Sequence, residues 1–195
     1  MNAIEPTLAP PGAGLPLPEL LIAKYLIFPI RFRTVSPAQA IEEFKGESEK
    51  ILGLANTISE YSLSERRLVP RLRGLEDSSR YWSVAMAVEH LTIVGDGIRE
   101  IVSALADGNS QLPESRIQDV KPSPSVDAMN VLARFHAMTE RFVETTEAID
   151  VRKDTSARHA HPWFGPLNWR QWLLFAAPHQ RIHRMQIEKI ILNLN

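Results

Sequence analysis

Two histidines four residues apart, His179 and His183 in the segment PHQRIHRMQI, and a third, His90 in WSVAMAVEHL, are the side chains whose types and spacing could do chemistry. On a helix, a four-residue step is close to one turn. Both imidazoles of the pair then project from the same face and can grip one ion. His90 would have to reach that ion from a facing helix. Three neutral imidazoles leave part of a metal's coordination shell open, as a catalytic or ligand-binding site requires. A divalent ion held this way lowers the pKa of a bound water or thiol, so a nucleophile exists near neutral pH. Taken alone, each residue has a plainer role. An i, i+4 histidine pair is common, and a histidine on an apolar face is more often a hydrogen-bonded core residue than a ligand.

The remaining histidines are weaker candidates. His136 falls just off the apolar stripe of its helix, and His159 and His161 fall in a loop. His161 could close over a pocket as a fourth ligand or proton shuttle, with loop packing as the simpler role. Trp82, Met86, Trp172 and Phe175 share the histidines' helix faces and could line a dry pocket, though they are equally ordinary core residues. None of the six histidines has a glutamate three residues before it, which argues against a di-iron carboxylate centre. The chain also has no His-Glu-x-x-His, Gly-x-Ser-x-Gly, Gly-x-Gly-x-x-Gly or P-loop motif.

Composition bounds the rest. The chain has 195 residues, 44% hydrophobic and 23% charged, enough for one well-packed core. Lys and Arg number 22 against 23 Asp and Glu, so no global field favours nucleic acid or anionic lipid. With no cysteine, the chain has neither a disulfide nor a thiolate of its own, and any thiol chemistry needs a thiol from outside.

The elements that would position the histidines are helices. Beyond residue 36 the apolar spacing is helical, with no convincing run of period-two alternation. A first helix opens at Ser36-Pro37 and carries Ile41, Phe44, Ile51, Ala55 and Ile58. A second spans about Ser79 to Ala106 with His90 in its apolar stripe, and a third follows Pro122-Ser123-Pro124 with Val131, Phe135, Met138 and Phe142. The fourth, from Asn168 to Leu192, turns Trp172, Phe175, His179, His183 and Gln186 inward. The connections, about 62 to 78, 107 to 122 and 151 to 167, are too long for a tight up-down-up-down bundle. The expected fold is therefore all-α, a four-helix bundle with long crossover connections. Pro178 removes an amide donor just before His179 and crowds the Leu174 carbonyl, which predicts a kink or restart of the fourth helix beside the pocket.

Residues 1–35 read as a separate proline-rich arm before the bundle domain of residues 36–195. The first eighteen residues hold five of the fourteen prolines and no Lys or Arg, so they lack the basic start of a secretory signal. A flexible or extended arm is expected there. The following LLIAKYLIFPI is broken by Lys24 and Pro29 and is far shorter than the roughly 20 residues of a membrane span. It reads as a short helix docked on the core, and a cytoplasmic location is expected.

The segment His161-Pro162-Trp163-Phe164-Gly165-Pro166-Leu167-Asn168-Trp169, with His179, His183, Gln186 and Ile187 after it and His90-Leu91 upstream, resembles the DinB/YfiT-like superfamily over roughly residues 36 to 193. The resemblance implies a DinB-like four-helix bundle, commonly a homodimer. It also implies a divalent transition metal such as zinc or nickel on a His90, His179, His183 triad. Members of the family include thiol-dependent transferases and metal-dependent hydrolases acting on small-molecule substrates, so a low-molecular-weight thiol is one implied cofactor. Many members carry two adjacent histidines where this chain has Ile182-His183. The alternative to a mononuclear metal-dependent enzyme is a non-catalytic helical binding or stress-response module with a structural or vestigial metal. Arg181 and Arg184 should point away from the seam, leaving Arg152, Lys153 and Arg158 as the cations that could reach the pocket.

Overall fold

Four long helices start where the chain supplies a polar cap. The computed structural model describes residues 5–194. Ahead of the bundle lie α1 (Leu17–Ile22), a π turn (Ala23–Ile27) and α2 (Phe28–Thr34). Helix α3 (Pro37–Ala55) opens with a capping box: the Ser36 side chain accepts from the Gln39 amide while the Gln39 side chain accepts from the Ser36 amide. A short α4 (Glu60–Leu63) follows. Helix α5 (Val84–Ala106) starts at Ser83, α6 (Ala128–Glu147) at Asp127, and α7 (Trp169–Leu192) at an Asn168–Gln171 capping box. Gly108, at φ 82°, ends α5 in the left-handed conformation that a glycine adopts without strain.

The long helices pack in a ring in which α3 touches α6 and α7, and α5 touches the same two. Both α3 to α5 and α6 to α7 are therefore diagonal connections, the crossovers that long linkers permit. The core fills the seam. Phe44 of α3 stacks on Phe142 of α6 at 3.8 Å between ring centres, and Phe135, Met138, Leu91, Leu173, Ile187 and Ile190 are sealed around them. Gly95 lets α5 approach α6 closely, because a Cβ there would overlap the Met138 side chain.

Two crossovers contain small antiparallel hairpins. Strands β1 (Arg67–Leu68) and β2 (Tyr81–Trp82) pair Arg67 with Trp82, and β3 (His159–His161) and β4 (Gly165–Leu167) pair His161 with Gly165. The second long helix accordingly begins at Val84 and not at Ser79, because residues 77–79 form one 3₁₀ turn and 81–82 are strand. Strands of two and three residues are too short to leave an alternation pattern in the sequence.

The described part of the N-terminal arm, from residue 5 onward, is tied down. The Ala9 amide donates to Asp77, and the Gly12 and Gly14 amides donate to Glu76, at 2.8, 2.8 and 3.3 Å. Of the flexible or extended arm expected here, the described part is an extended strap on the α4–α5 loop, with residues 1–4 outside the described part. Phe28 docks the following helix, 4.7 Å from Phe164 and 5.2 Å from Phe175. The opposite side leaves Leu17, Ile22, Tyr25, Leu26 and Ile30 exposed. Among the described residues no helix is long and apolar enough to cross a membrane.

Pro178 lies inside an unbroken α7, so the expected restart of the helix is absent. The carbonyl that proline leaves without a helical amide, Leu174 O, accepts instead from Arg31 Nε at 2.7 Å, and Arg31 is held in turn by Glu43 at 2.6 Å. A side chain from α2 thus replaces the missing donor, and the helix has no need to break.

Candidate metal centre

His90 on α5 meets His179 and His183 on α7 where these two helices pack. One ring nitrogen from each of the three lies within 4.8 Å of the other two, a group that could hold one metal ion. His90 and His183 are buried, and His179 is partly open. The His90 and His179 Nε2 atoms are 3.3 Å apart. Two ligands about 2.0–2.1 Å from a tetrahedral ion stand about 3.3–3.4 Å from each other, so this spacing suits a shared cation.

The surrounding hydrogen bonds fix which nitrogens are free. His90 Nδ1 lies 2.7 Å from the Val120 carbonyl, which can only accept, so the proton of the neutral ring is on Nδ1 and the Nε2 lone pair faces inward. His183 Nδ1 lies 2.7 Å from Gln186 Oε1. The orientation of that amide is set from its other end, where Gln186 Nε2 donates to the Ser79 carbonyl at 2.7 Å. His183 is therefore also an Nδ1–H tautomer with its Nε2 lone pair available. This is the outer-shell arrangement that orients metal-ligating histidines.

Electrostatics act in the same direction. Burial, then the neighbouring His179, lower His90 to about 3. Burial first and the adjacent imidazoles second hold His179 and His183 well below the ordinary histidine value. All three are neutral at physiological pH, the form that binds metals.

A cavity of about 160 Å³ opens beside the triad. Trp172 and Phe175, two of the four expected lining residues, are on its wall. Trp82 and Met86 are not. Trp82 stands behind the triad, parallel to the His183 ring at 5.8 Å between centres and 5.1 Å from His90, while Met86 is buried in the core. His161 also lines the cavity but is outside the group of three. Its Nδ1 accepts from the Trp163 amide at 3.1 Å, so its neutral ring carries the proton on Nε2. Burial among Phe164, Trp172 and Phe175 holds His161 at about 3. His159 pairs with Ser115 at 2.9 Å, and His136 is exposed beside Glu140.

The cations near the cavity are not those the sequence suggested. Lys153 pairs with Asp107, Arg152 with Asp150, and Arg158 donates to the Thr155 and Ala157 carbonyls. Arg184 binds Glu47 of α3 and Glu188 and does not line the cavity. Glu89 accepts from the Ser123 amide and from Arg134, outside the centre. In their place Lys121 lies over the Trp82 ring at 5.1 Å and donates to Glu76, Ser78 and Ser79 at 3.1, 2.6 and 3.0 Å. Burial lowers the Lys121 pKa against the opposing pull of Glu76. No sequence signal marks this pair, which joins the α4–α5 and α5–α6 connections.

The model of the DinB family matches residues 32–193. A solved structure, TT2238, described as a four-helix bundle protein, superposes with a TM-score of 0.55 at 20% identity. The match covers 78% of this chain and 98% of that one, and it bears on the fold alone. No curated protein matches the chain.

Proposed function

The chain belongs to the DinB family, and we infer that it is a mononuclear metal-dependent enzyme whose ion is held by His90, His179 and His183. The observation that carries this reading is the convergence of the three ring nitrogens, two of them with tautomers set by Val120 and Gln186, at the edge of an open cavity. When bound, the ion supplies a nucleophile near neutral pH by acidifying a coordinated water or small thiol. The protein's own groups do the rest. Gln186 and the Val120 carbonyl hold two ligand rings in orientation, Trp82 backs the His183 ring, and the apolar wall of Trp172 and Phe175 excludes water and strengthens every electrostatic contact inside.

Hydrolysis of a small molecule and transfer to or from an external thiol both suit this arrangement, with zinc and nickel as the ions an all-imidazole site takes readily. A homodimer is part of the same family reading, and sedimentation equilibrium tests it. The deciding experiment is elemental analysis before and after chelation, on wild type and His179→Ala in parallel. About one equivalent of transition metal in wild type and little in the variant supports the assignment. No stoichiometric metal after reconstitution with zinc and nickel refutes it and favours a non-catalytic helical module.

A further inference from the structure

The cavity is apolar, and its size depends on one glycine. From His90 the cavity-lining stripe of α5 continues through Ile93, Val94, Gly97 and Ile101, and Trp163 and Phe175 line the same cavity. Gly97 sits within a 23-residue helix at an ordinary helical φ, so the backbone does not require a glycine there. In mid-helix glycine is less favourable than alanine. A Cβ built on Gly97 meets nothing within 4 Å, in contrast to Gly95 two residues earlier, which is pressed against Met138. The missing side chain at Gly97 serves no helix contact; it leaves room in the cavity.

The charged groups at the cavity's edge are already engaged. Lys121 is bonded to Glu76 at 3.1 Å and Arg116 to Asp119 at 2.8 Å. Beyond those charged groups, the polar side chains on the cavity are the triad, His161, Ser79 bonded to Lys121 and Ser115 bonded to His159, and the rest of the wall is mostly hydrocarbon. An apolar cavity of roughly 150 Å³ accepts a benzene molecule, and this one, open to solvent at Ile93, measures about 160 Å³.

We propose that the space between Gly97 and Phe175 binds one compact apolar group, about the size of a phenyl ring, carried by the molecule on which the triad acts, and that Gly97 sets the size limit. The proposal rests on the metal-site reading for the placement of the reacting atoms. Such a substrate is bipartite: an aromatic or short branched alkyl group in the cavity, joined to a polar function at the histidines. A polyhydroxylated group would lose its hydrogen bonds to water in this space and regain few.

Benzene is the probe. It is titrated into metal-loaded and chelated protein while the methyl resonances of Ile93, Val94 and Ile101 are followed, and metal content is measured on the same samples. Saturable shifts at these methyls are expected in wild type, with affinity at least tenfold weaker in Gly97→Leu and with metal content unchanged. If the leucine variant does not fold, Gly97→Ala carries the test, since it adds one methyl group to the wall and should weaken benzene binding. Absence of saturable shifts in wild type, or full affinity in the folded Gly97 variant, overturns the proposal. One equivalent of metal with no benzene binding would overturn this inference alone, and benzene binding by protein that takes up no metal on reconstitution would overturn the metal-site reading alone.

Discussion

Replacing Gln186 by Met removes the one group that sets the tautomer of His183, keeps the volume of the side chain, and leaves the three histidines in place. Gln186 is fully buried, and its amide bridges His183 Nδ1 and the Ser79 carbonyl at 2.7 Å on each side. Without it the imidazole proton is no longer held on Nδ1, and a share of the rings presents N–H instead of a lone pair to the metal. Loss of such an outer partner costs about 10- to 100-fold in metal affinity, or about 1.4–2.7 kcal/mol. The Ser79 carbonyl also loses its donor, which costs about 1–3 kcal/mol of folding stability. The assay is zinc competition against a chromophoric chelator, paired with urea unfolding of the metal-free protein. Gln186→Glu separates the two effects. Its carboxylate still accepts from His183 but sets a second oxygen against the Ser79 carbonyl, so affinity should persist while stability falls. Zinc affinity within twofold of wild type in a folded Gln186→Met protein would refute the reasoning that this amide orients a ligand.

His179→Ala should abolish stoichiometric metal with little loss of helix by circular dichroism, because the hydrogen bond it forfeits is the one to His90. His90→Ala should lose metal and also cost about 1–3 kcal/mol in urea unfolding, since the Val120 carbonyl is left unpaired. The two glycines of α5 should respond oppositely to alanine in thermal unfolding. Gly97→Ala should gain about 0.5–1 kcal/mol from helix propensity, while Gly95→Ala should lose about 1–3 kcal/mol against Met138. Burial raises the Glu76 carboxyl, but bonds from Ser78, Lys121 and Gly14 outweigh it and hold the group below its ordinary 4.5. Its contribution to stability is complete above that value and falls away as pH drops through the folded one, so Glu76→Gln should flatten the acid side of a stability–pH curve. An unchanged acid limb in that variant would count against the pairing.

The triad was legible because its signal is helical: a four-residue step for His179 and His183, and an apolar stripe that carries His90 to the facing seam. The bundle was legible for the same reason, as period and caps act over twenty residues and accumulate. The missing parts are those where few residues act at long range. Hairpins of two or three residues have no period, and they bring Trp82 behind the triad and His161 onto the cavity wall. The Lys121–Glu76 pair joins positions 45 residues apart with no pattern between them. Arg31, 143 residues before the carbonyl it satisfies, could not be matched to Pro178 from sequence; a kink or restart was expected there, and of the two the restart is absent.

That bond also links the N-terminal arm to the site's motions. A helix opens first where its hydrogen-bond ladder is thinnest, and in α7 the gap falls one turn before His179, at the Leu174 carbonyl. Arg31 closes the gap, but from another segment, one fastened by Phe28 and, further back, by amides on Glu76 and Asp77. Opening of that turn therefore also requires Arg31, ahead of the four long helices, to leave the Leu174 carbonyl. An arm that looks like an appendage thus supplies the rung that proline removes from the helix carrying His179 and His183.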